Sequence, residues 1–419
     1  MTHAHVLGID FGTSNSAAGY LKNGRPVLIE MTPGQTTLPT TFFFDFETRE
    51  TLVGAPANQA LIDGLEGRFM RALKRVLGTS LMHEKRQILN ERVTFVDIIG
   101  RFLRHMKTRS EQATGLRFSH AVSGRPVVFH GNDDPREAQA EKDLRACYAA
   151  AGFETVRFVP EPQAAAIASG ALHTPGTLGL VVDIGGGTSD FSVFESASDG
   201  VRILANHGVR IGGTDFDRSI SIDRVMPLLG KGSHLRKDIG AGLLPAPNAI
   251  FNDLATWEKI PFLYAAQTRR MATEMHQLAQ EPEKLCRLVT VLEDELGHDL
   301  AFAVEQGKID ANSDKQDPRI DLTPIERGLN APLPAHVLPP ILAPFGTALA
   351  QGARETLDRA EVRADQIQDV IYVGGSSLMS FIPDTMKGLF PDANHSLSEV
   401  FTAVADGLAM SATLDDGAA

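Results

Sequence analysis

Two similar stretches of the chain, LGIDFGTSNS at residues 7–16 and VVDIGGGTSDFSV at residues 181–193, decide the fold. Each is an apolar run that contains an aspartate near its end, followed by glycine with Thr or Ser and then by a second strand-like run. Glycine permits the tight turn between the two runs and lets a ligand approach the backbone closely. The repetition therefore predicts two equivalent β-hairpins in two similar lobes.

The two turns have the composition of a polyphosphate site. Backbone N–H groups bind anions well where no side chain obstructs them. The groups offered are those of Gly12, Thr13, Ser14 and Asn15 in the first turn and of Gly185, Gly186, Gly187 and Thr188 in the second. Asp10 and Asp183, at the strand ends, are placed to hold a hydrated Mg²⁺ between protein and phosphate. We expect the two hairpins to face each other across a cleft.

Two other nucleotide-binding folds do not fit this sequence. A dinucleotide-binding fingerprint requires G-x-G-x-x-G at the start of a helix, but the run TSDFSVFE after Gly187 alternates like a strand. The pattern G-x-x-x-x-G-K-[ST] of the P-loop NTPases does not occur in the sequence. A cleft between two similar lobes is the remaining interpretation.

Four further segments follow in order: ALKRVLG at residues 72–78, VPEPQAAAIASG at 159–170, RIGGTDFDRSI at 210–220 and VIYVGGSSL at 370–378. With them the chain resembles the DnaK-type chaperones of the heat shock protein 70 family, within the actin-like ATPase superfamily, almost from end to end. The resemblance implies an α/β actin-like ATPase fold, in which duplicated ribonuclease H-like lobes and two inserted subdomains surround an interlobe nucleotide cleft. It also implies ATP or ADP with Mg²⁺ as ligands.

The resemblance implies a role for each matching residue. Asp10 and Asp183 would hold Mg²⁺ through water, and Lys74 would lie near the γ-phosphate, which Thr188 would contact. Glu161 and Asp190 would order the attacking water or the metal shell. The implied catalytic residues are Lys74, Glu161, Asp183, Thr188 and Asp190. The implied nucleotide-binding residues are Gly12, Thr13, Ser14, Asn15, Gly185, Gly186, Gly187, Thr188, Gly212, Gly213, Thr214, Glu305, Lys308, Gly374, Gly375, Ser376 and Leu378.

Several of these residues also have an ordinary structural interpretation. Lys74 lies in a basic stretch that suits a solvated helix face. Glu161 precedes Pro162 and suits the first turn of a helix, where a carboxylate interacts favourably with the dipole. Asp190 suits a turn or a cap, and Glu305 and Lys308 suit a solvated pair on a helix.

The chain departs from the family pattern where the base would bind. Leu378 and Ile309 stand where the family carries arginines that stack on adenine, and Phe401 stands where an aspartate is common. We therefore expect an apolar rather than a cationic sandwich for adenine.

Composition limits the class of protein. The 419 residues are 43% apolar, which is enough for substantial cores. A net charge of −12 disfavours a nucleic-acid binder. Cys147 and Cys286 form no disulfide framework or metal motif. The sequence shows no signal segment and no apolar run of membrane-spanning length, so the expected location is the cytoplasm, without membrane contact.

The pattern of elements predicts two lobes. Lobe I comprises residues 1–178 with an insert at about 38–117, and lobe II comprises residues 179–419 with a helical insert at about 226–313. Residues 57–76 and 96–112 are predicted to be helical. Only TLDDGAA follows the last predicted helix. The sequence is therefore expected to be a stand-alone ATPase-domain protein, similar to the short YegD-like branch, without a peptide-binding domain.

Three functions remain open at this point. The favoured one is a chaperone-like Mg-ATP-binding protein that hydrolyses ATP slowly or closes its lobes on nucleotide, and so acts on an unknown protein partner. The alternatives are an actin-like filament-forming ATPase and a small-molecule kinase of the same superfamily.

Overall fold

The computed structural model describes residues 5–130, 134–170, 174–197, 200–237, 240–313, 315–397 and 403–412. The strands before residue 171 are β1 His5–Phe11, β2 Asn15–Lys22, β3 Arg25–Leu28, β4 Thr37–Pro39, β5 Thr41–Asp45, β6 Thr51–Val53, β7 Gly67–Arg71, β8 Arg86–Ile88, β9 Glu91–Val93, β10 Phe118–Arg125 and β11 Thr155–Pro160. The helices of this part are α1 Ala55–Ile62, α2 Phe95–Thr114, α3 Arg136–Ala150 and α4 Glu161–Gly170.

The strands after residue 173 are β12 Leu178–Ile184, β13 Ser189–Ala197, β14 Gly200–Val209, β15 His234–Arg236, β16 Leu243–Pro245, β17 Arg319–Asp321, β18 Asn330–Pro332, β19 Asp369–Val373 and β20 Asn394–Leu397. The helices are α5 Gly213–Ile220, α6 Asn248–Leu254, α7 Ala266–Leu278, α8 Pro282–Glu293, α9 Gly297–Asn312, α10 Leu338–Ala360, α11 Phe381–Leu389 and α12 Ala403–Ser411. Short 3₁₀ turns include Leu73–Val76, Trp257–Phe262 and Gly375–Leu378.

Two sheets with the same internal arrangement form the centres of the two lobes. The first has the order β11-β10-β1-β2-β3, with β4 also paired to β2, and the second has the order β14-β13-β12-β19-β20. In each sheet the hairpin strand that carries the motif aspartate pairs antiparallel with the next strand and parallel with a later one. The sequence repeat thus corresponds to a duplicated structural unit, as predicted.

Helices α4 and α12 lie between the two sheets and pack directly against each other. A Cβ atom at Gly407 would lie 1.8 Å from the carbonyl oxygen of Ala164, so only glycine allows this contact. Helix α12 also packs on β1, β2 and β3. The predicted lobe II includes this helix, whose apolar side chains, such as Leu408, are buried between the two sheets.

The first insert differs from the prediction at residues 57–76, which were expected to be helical. Helix α1 ends at Ile62, and Gly64 follows with a φ of +68°, a conformation that side chains other than glycine rarely adopt. The chain then forms β7, which pairs antiparallel with β5 and buries Phe69 and Met70. The predicted helix at residues 96–112 is confirmed as α2, which begins at a capping box of Thr94 and Asp97.

The second insert is mainly helical. Helices α6 to α9 occupy most of it, and their apolar faces join the core of lobe II, as Phe251, Leu288 and Leu300 show. The short hairpin of β15 and β16 precedes them. Among the described residues, no helix is both long and apolar enough to cross a membrane.

Candidate functional site

A cavity of about 350 Å³ opens between the lobes, where the two motif hairpins meet. It is lined by Asp10, Gly12, Thr13, Ser14, Asn15, Lys74, Glu161, Asp183, Gly185, Gly186, Thr188, Glu305, Lys308, Ile309, Asn312, Val373, Gly374, Gly375, Ser376, Leu378, Met379 and Val404. The structure therefore brings most of the predicted site residues into one cavity, from segments far apart in the sequence.

The two glycine turns touch each other at the floor of the cavity. The second turn is closed by a hydrogen bond from Gly185 N–H to the Thr188 carbonyl, at 3.0 Å. A Cβ at Gly12 would lie 2.1 Å from the Asn15 carbonyl oxygen, and one at Gly186 would lie 2.6 Å from Ser14 Oγ. Glycine is required at residue 12, because a side chain there would meet the backbone of its own turn, and at residue 186 it lets the second turn approach the first closely.

The motif aspartates lie beside these turns, within a cluster of buried charges. Burial and the nearby charge of Glu161 raise the pKa of Asp10 to about 7 and hold the pKa of Asp183 well above its ordinary value. Lys74 pairs with Glu161. Burial disfavours the charged ammonium, but Glu161 and Asp10 together raise the pKa of Lys74 above its ordinary value. The cluster holds more carboxylates than cations, so it favours an added cation.

The donor set fits a hydrated Mg²⁺ better than a directly ligated ion. Among the described residues, no three His, Cys, Asp or Glu side chains gather closely enough to ligate a metal directly. Asp10 and Asp183 nevertheless both line the cavity, with carboxyl groups that burial has made reluctant to ionise. A pair of carboxylates in one cavity suits a Mg²⁺ ion that keeps several of its waters.

Asp190 lies behind the cavity wall rather than on it. Its Oδ1 accepts a hydrogen bond of 2.7 Å from the backbone N–H of Val127, which belongs to the other lobe. Burial and the charge of Glu161 raise the pKa of Asp190 to about 8. This bond joins the two lobes, and the role of Asp190 in ordering the attacking water or the metal shell stays a prediction.

The turn at residues 212–214 also lies behind the cavity, together with Gly187. Gly213 N–H donates to the Gly185 carbonyl at 3.0 Å, and Thr214 N–H donates to the Gly186 carbonyl at 2.8 Å. A Cβ at Gly212 would lie 2.5 Å from the nitrogen of Gly187. The turn therefore supports the second glycine turn, and its contact with the phosphates stays a prediction.

The opposite end of the cavity is apolar. Ile309 and Leu378 line it and are among the exposed large hydrophobic side chains. Gly374 has a φ of +81°, and a Cβ there would lie 2.4 Å from the Ile184 carbonyl oxygen. Asn312 also lines this cavity and was not predicted from the sequence. Its Nδ2 donates to the Leu378 carbonyl at 3.0 Å, and its Oδ1 accepts from Ser380 N–H at 2.9 Å.

Glu305 and Lys308 line the middle of the cavity, and each is held by a residue that the sequence did not reveal. Arg71 donates to both oxygens of Glu305, at 2.5 and 2.8 Å. Its guanidinium also lies over the Trp257 ring, 4.4 Å from the centroid. Lys308 Nζ lies 2.6 Å from Asp217 Oδ1. Lys308 is therefore buried and Glu305 half-buried, each is paired with a different residue, and they do not form a solvated pair on a helix surface.

Comparisons with known proteins agree with this geometry. Residues 6–226 match the family model described as Hsp70 protein. The Chaperone protein DnaK of Ureaplasma urealyticum serovar 10 is 34% identical over 223 residues, which is 52% of this chain and 35% of that protein. The Chaperone protein DnaK of Endomicrobium trichonymphae is 35% identical over 244 residues, 56% of this chain and 37% of that protein. The alignments thus span little more than a third of these relatives. Because the family model matches more than half of the chain, the chain belongs to the Hsp70 family and has its α/β actin-like ATPase fold.

Proposed function

We propose that this protein binds Mg-ATP in the interlobe cavity, and that slow hydrolysis or nucleotide-driven lobe closure acts on an unknown protein partner in a chaperone-like manner. The observation that carries the proposal is the meeting of two glycine turns, one from each lobe, beside buried carboxylates. This arrangement offers backbone donors to phosphate oxygens from two sides. It also offers the carboxylate charge that a phosphate-bound cation requires.

The residues divide the chemistry among them. Bound Mg²⁺ would neutralise charge on the phosphate oxygens. Asp10 and Asp183 would hold the ion through its waters, and the turns at residues 12–15 and 185–188 would fix the phosphates for in-line attack. Lys74 supplies a buried positive charge that its partner Glu161 orients. A fixed cation of this kind stabilises charge that develops during phosphoryl transfer.

In this proposal Asp190 acts on the contact between the two lobes rather than on the attacking water. The hydrogen bond from Val127 N–H to Asp190 joins lobe I to lobe II, and Asp190 is the partner of Asp183 across the hairpin of β12 and β13. A change in charge at the phosphates would alter this buried cluster and, with it, the contact between the lobes. We therefore assign Asp190 to lobe closure within the proposed mechanism.

The base would lie between Ile309 and Leu378. Two aliphatic faces recover hydrophobic stabilisation but lose the attraction of stacked guanidinium groups, which is about 0.5–2 kcal/mol for each contact. We expect ATP to bind measurably and more tightly than GTP. Titration with both nucleotides tests this, and equal affinity for the two, or no binding of either, would count against the pocket.

Calorimetry with Mg-ATP on the wild type, Asp10→Asn, Asp183→Asn and the double variant tests the proposal as a whole. Loss of binding heat in the double variant, with partial loss in each single variant, is the expected result for a shared metal site. Asp143→Asn is a matched control, because Asp143 is buried but bonds to Gly78 N–H at 2.9 Å, away from the cavity. Unchanged binding in the double variant would contradict the proposal. ATP-dependent sedimentation, or phosphate transfer to a small molecule, would support the filament or the kinase alternative instead.

A further inference from the structure

The turn that carries Lys74 is held by two side chains that do not line the cavity. The Arg75 carbonyl accepts a hydrogen bond of 3.1 Å from Nη2 of Arg210, a residue of lobe II. The Leu77 carbonyl lies 2.6 Å from Nε2 of His130, a residue of lobe I. These carbonyls belong to the residues one and three positions after Lys74, so both contacts bear on the placement of its ammonium group.

The two side chains also bond to each other, and this contact fixes the position of the proton on the imidazole ring. Nδ1 of His130 lies 3.0 Å from Nη1 of Arg210. A guanidinium group only donates hydrogen bonds, so Nδ1 accepts and carries no proton. The proton of the neutral ring is then on Nε2, which donates to the Leu77 carbonyl. A protonated ring would be a donor at both nitrogens and could keep only the bond to Leu77.

The surroundings of the ring disfavour a second proton. The charged groups around this contact are Arg210 itself after β14, Asp134, Arg136 and Glu137 near the start of α3, and Arg75 with its partners Asp215 and Glu258. The two acids near α3 already have arginine partners, Arg136 and Arg125. Burial, Arg210 and Arg136 lower the pKa of His130 below its ordinary value. Within the described ranges no carboxylate is hydrogen-bonded to Arg210, so a charged ring would face a guanidinium that no acid neutralises directly.

We propose that His130 is a positioning residue for Lys74, which holds the turn in place through Arg210 while its ring is neutral and releases Arg210 when its ring is protonated. This inference rests on the proposed function, because it takes Lys74 as the group that contacts the γ-phosphate. With the neutral ring, Arg210 joins lobe II to the turn of lobe I. With the protonated ring, Nδ1–H and the guanidinium repel each other, and the turn loses its tie to the other lobe.

A purely structural contact between His130 and Arg210 predicts a different result. Its loss would change the affinity for every nucleotide by the same factor. A positioning residue for Lys74 would instead change the discrimination between Mg-ATP and Mg-ADP, because these ligands share the base, the sugar and two phosphates and differ in the γ-phosphate. The ratio of the two affinities therefore separates the interpretations.

Two substitutions distinguish the two nitrogens of the ring. Asparagine at residue 130 can place its oxygen near the position of Nδ1 and accept from Arg210, whereas glutamine can place its amide near Nε2 and donate to Leu77. His130→Gln is expected to lower the ATP to ADP affinity ratio about fivefold at neutral pH, and His130→Asn by less than about twofold. His105→Asn, which changes a histidine beside Arg109 on α2, is the matched control and should keep the wild-type ratio. An unchanged ratio in His130→Gln, or equal losses in the two variants, would overturn the proposal.

The dependence of this ratio on pH tests the effect of protonation. In the wild type the ratio should fall as the pH is lowered through the range in which the ring gains its proton, below its ordinary pKa of 6.5. His130→Asn has the same cavity aspartates and binds the same phosphates, so the part of the fall that it lacks is due to the ring. Parallel pH profiles for the wild type and His130→Asn would overturn the proposal.

NMR spectra of the histidine ring nitrogens in the nucleotide-free protein keep the test valid if a variant at residue 130 binds no nucleotide. The signals of His130 are those that disappear in His130→Asn. They should show a proton on Nε2 and none on Nδ1 at neutral pH, and Arg210→Gln should raise the pKa of the ring because it removes the facing positive charge. A proton on Nδ1 would overturn this inference and leave nucleotide binding untouched. If the wild type binds neither nucleotide, the proposed function fails, and the role of His130 toward Lys74 fails with it, whatever the ring spectra show.

Discussion

Binding of Mg-ATP is expected to release protons from the carboxyl groups of the cavity. In the ligand-free protein, burial and the charge of Glu161 raise the pKa of Asp10 to about 7 and that of Asp183 well above its ordinary value. A divalent cation beside these groups favours their charged forms, so both pKa values fall and the protons leave.

The size of the effect follows from the two carboxyl groups. Close to neutral pH, Asp10 is about half protonated, because its pKa is about 7, and burial holds the pKa of Asp183 well above its ordinary value. At about pH 7, Asp10 alone should release about half a proton for each nucleotide bound, and Asp183 should add to this release. The affinity should therefore increase with pH near neutrality, by about half a power of ten per pH unit from Asp10 alone, and the contribution of Asp10 should level off at alkaline pH, where this group is already ionised.

Calorimetry at one pH in buffers of different ionisation enthalpy measures the released protons directly. Saturating Mg²⁺ keeps the nucleotide in its magnesium form, so that the protein groups dominate the signal. Asp10→Asn should lower the release by about half a proton, whereas Asp143→Asn should leave it unchanged. Binding with the same heat in every buffer, together with an affinity that does not depend on pH, would refute the reasoning.

Three further predictions concern the ligand-free protein. A carboxyl group with a raised pKa contributes stability that is present in full below its ordinary pKa of 3.8 and is lost as the pH rises to about 7. In thermal unfolding scans, Asp10→Asn should therefore gain about 1.4 kcal/mol relative to the wild type for each unit by which the pH rises within this window, and a constant difference would contradict this. Arg71→Ala, which removes a cross-cleft ion pair with only 8% exposure on the arginine side, should cost about 2–3 kcal/mol in urea unfolding. Arg101→Ala, which removes an exposed pair, should cost under about 0.5 kcal/mol, and equal costs would argue against the cleft contact. Gly407→Ala should lower the free energy of unfolding by about 3 kcal/mol or more, because its Cβ would meet a backbone oxygen at 1.8 Å. Gly388→Ala, where a Cβ would have no atom within 4 Å, should be neutral or stabilising. Similar values for the two variants would contradict the packing of α12.

The centre of the fold could be predicted because its signals are local. A glycine two residues after a strand-terminal aspartate predicts a turn and places a carboxylate beside it. Asp10 and Asp183 lie at equivalent points of the two sheets. The apolar end was also accessible, since Ile309 and Leu378 were identified by position in recognisable segments. Both line the cavity.

Other features depend on contacts between distant parts of the chain. Arg71 and Glu305 are separated by 234 positions, and no pattern in either segment indicates that they meet. Asp217 was missed in the same way, because its partner Lys308 lies on a different helix. Asn312 had one local signal, its position one helical turn after Lys308 on α9.

Residues 57–76 show why periodicity alone was misleading. The segment after Gly64 contains enough apolar residues for a helix face, but pairing with β5 stabilises it as a strand. The position of the turn at residues 212–214 relative to the cavity depends on tertiary bonds to Gly185 and Gly186, which no local pattern indicates. The prediction concerning Phe401 lies outside the described residues.

The two hairpins differ in the residue that is paired with the motif aspartate. Asp10 is paired across its hairpin with Ala17, whereas Asp183 is paired with Asp190. The two halves share the arrangement of their sheets but differ at this matching position, where one has a methyl group and the other an acid. The half that carries Asp190 therefore places a second carboxyl group beside its motif aspartate, and the other half does not.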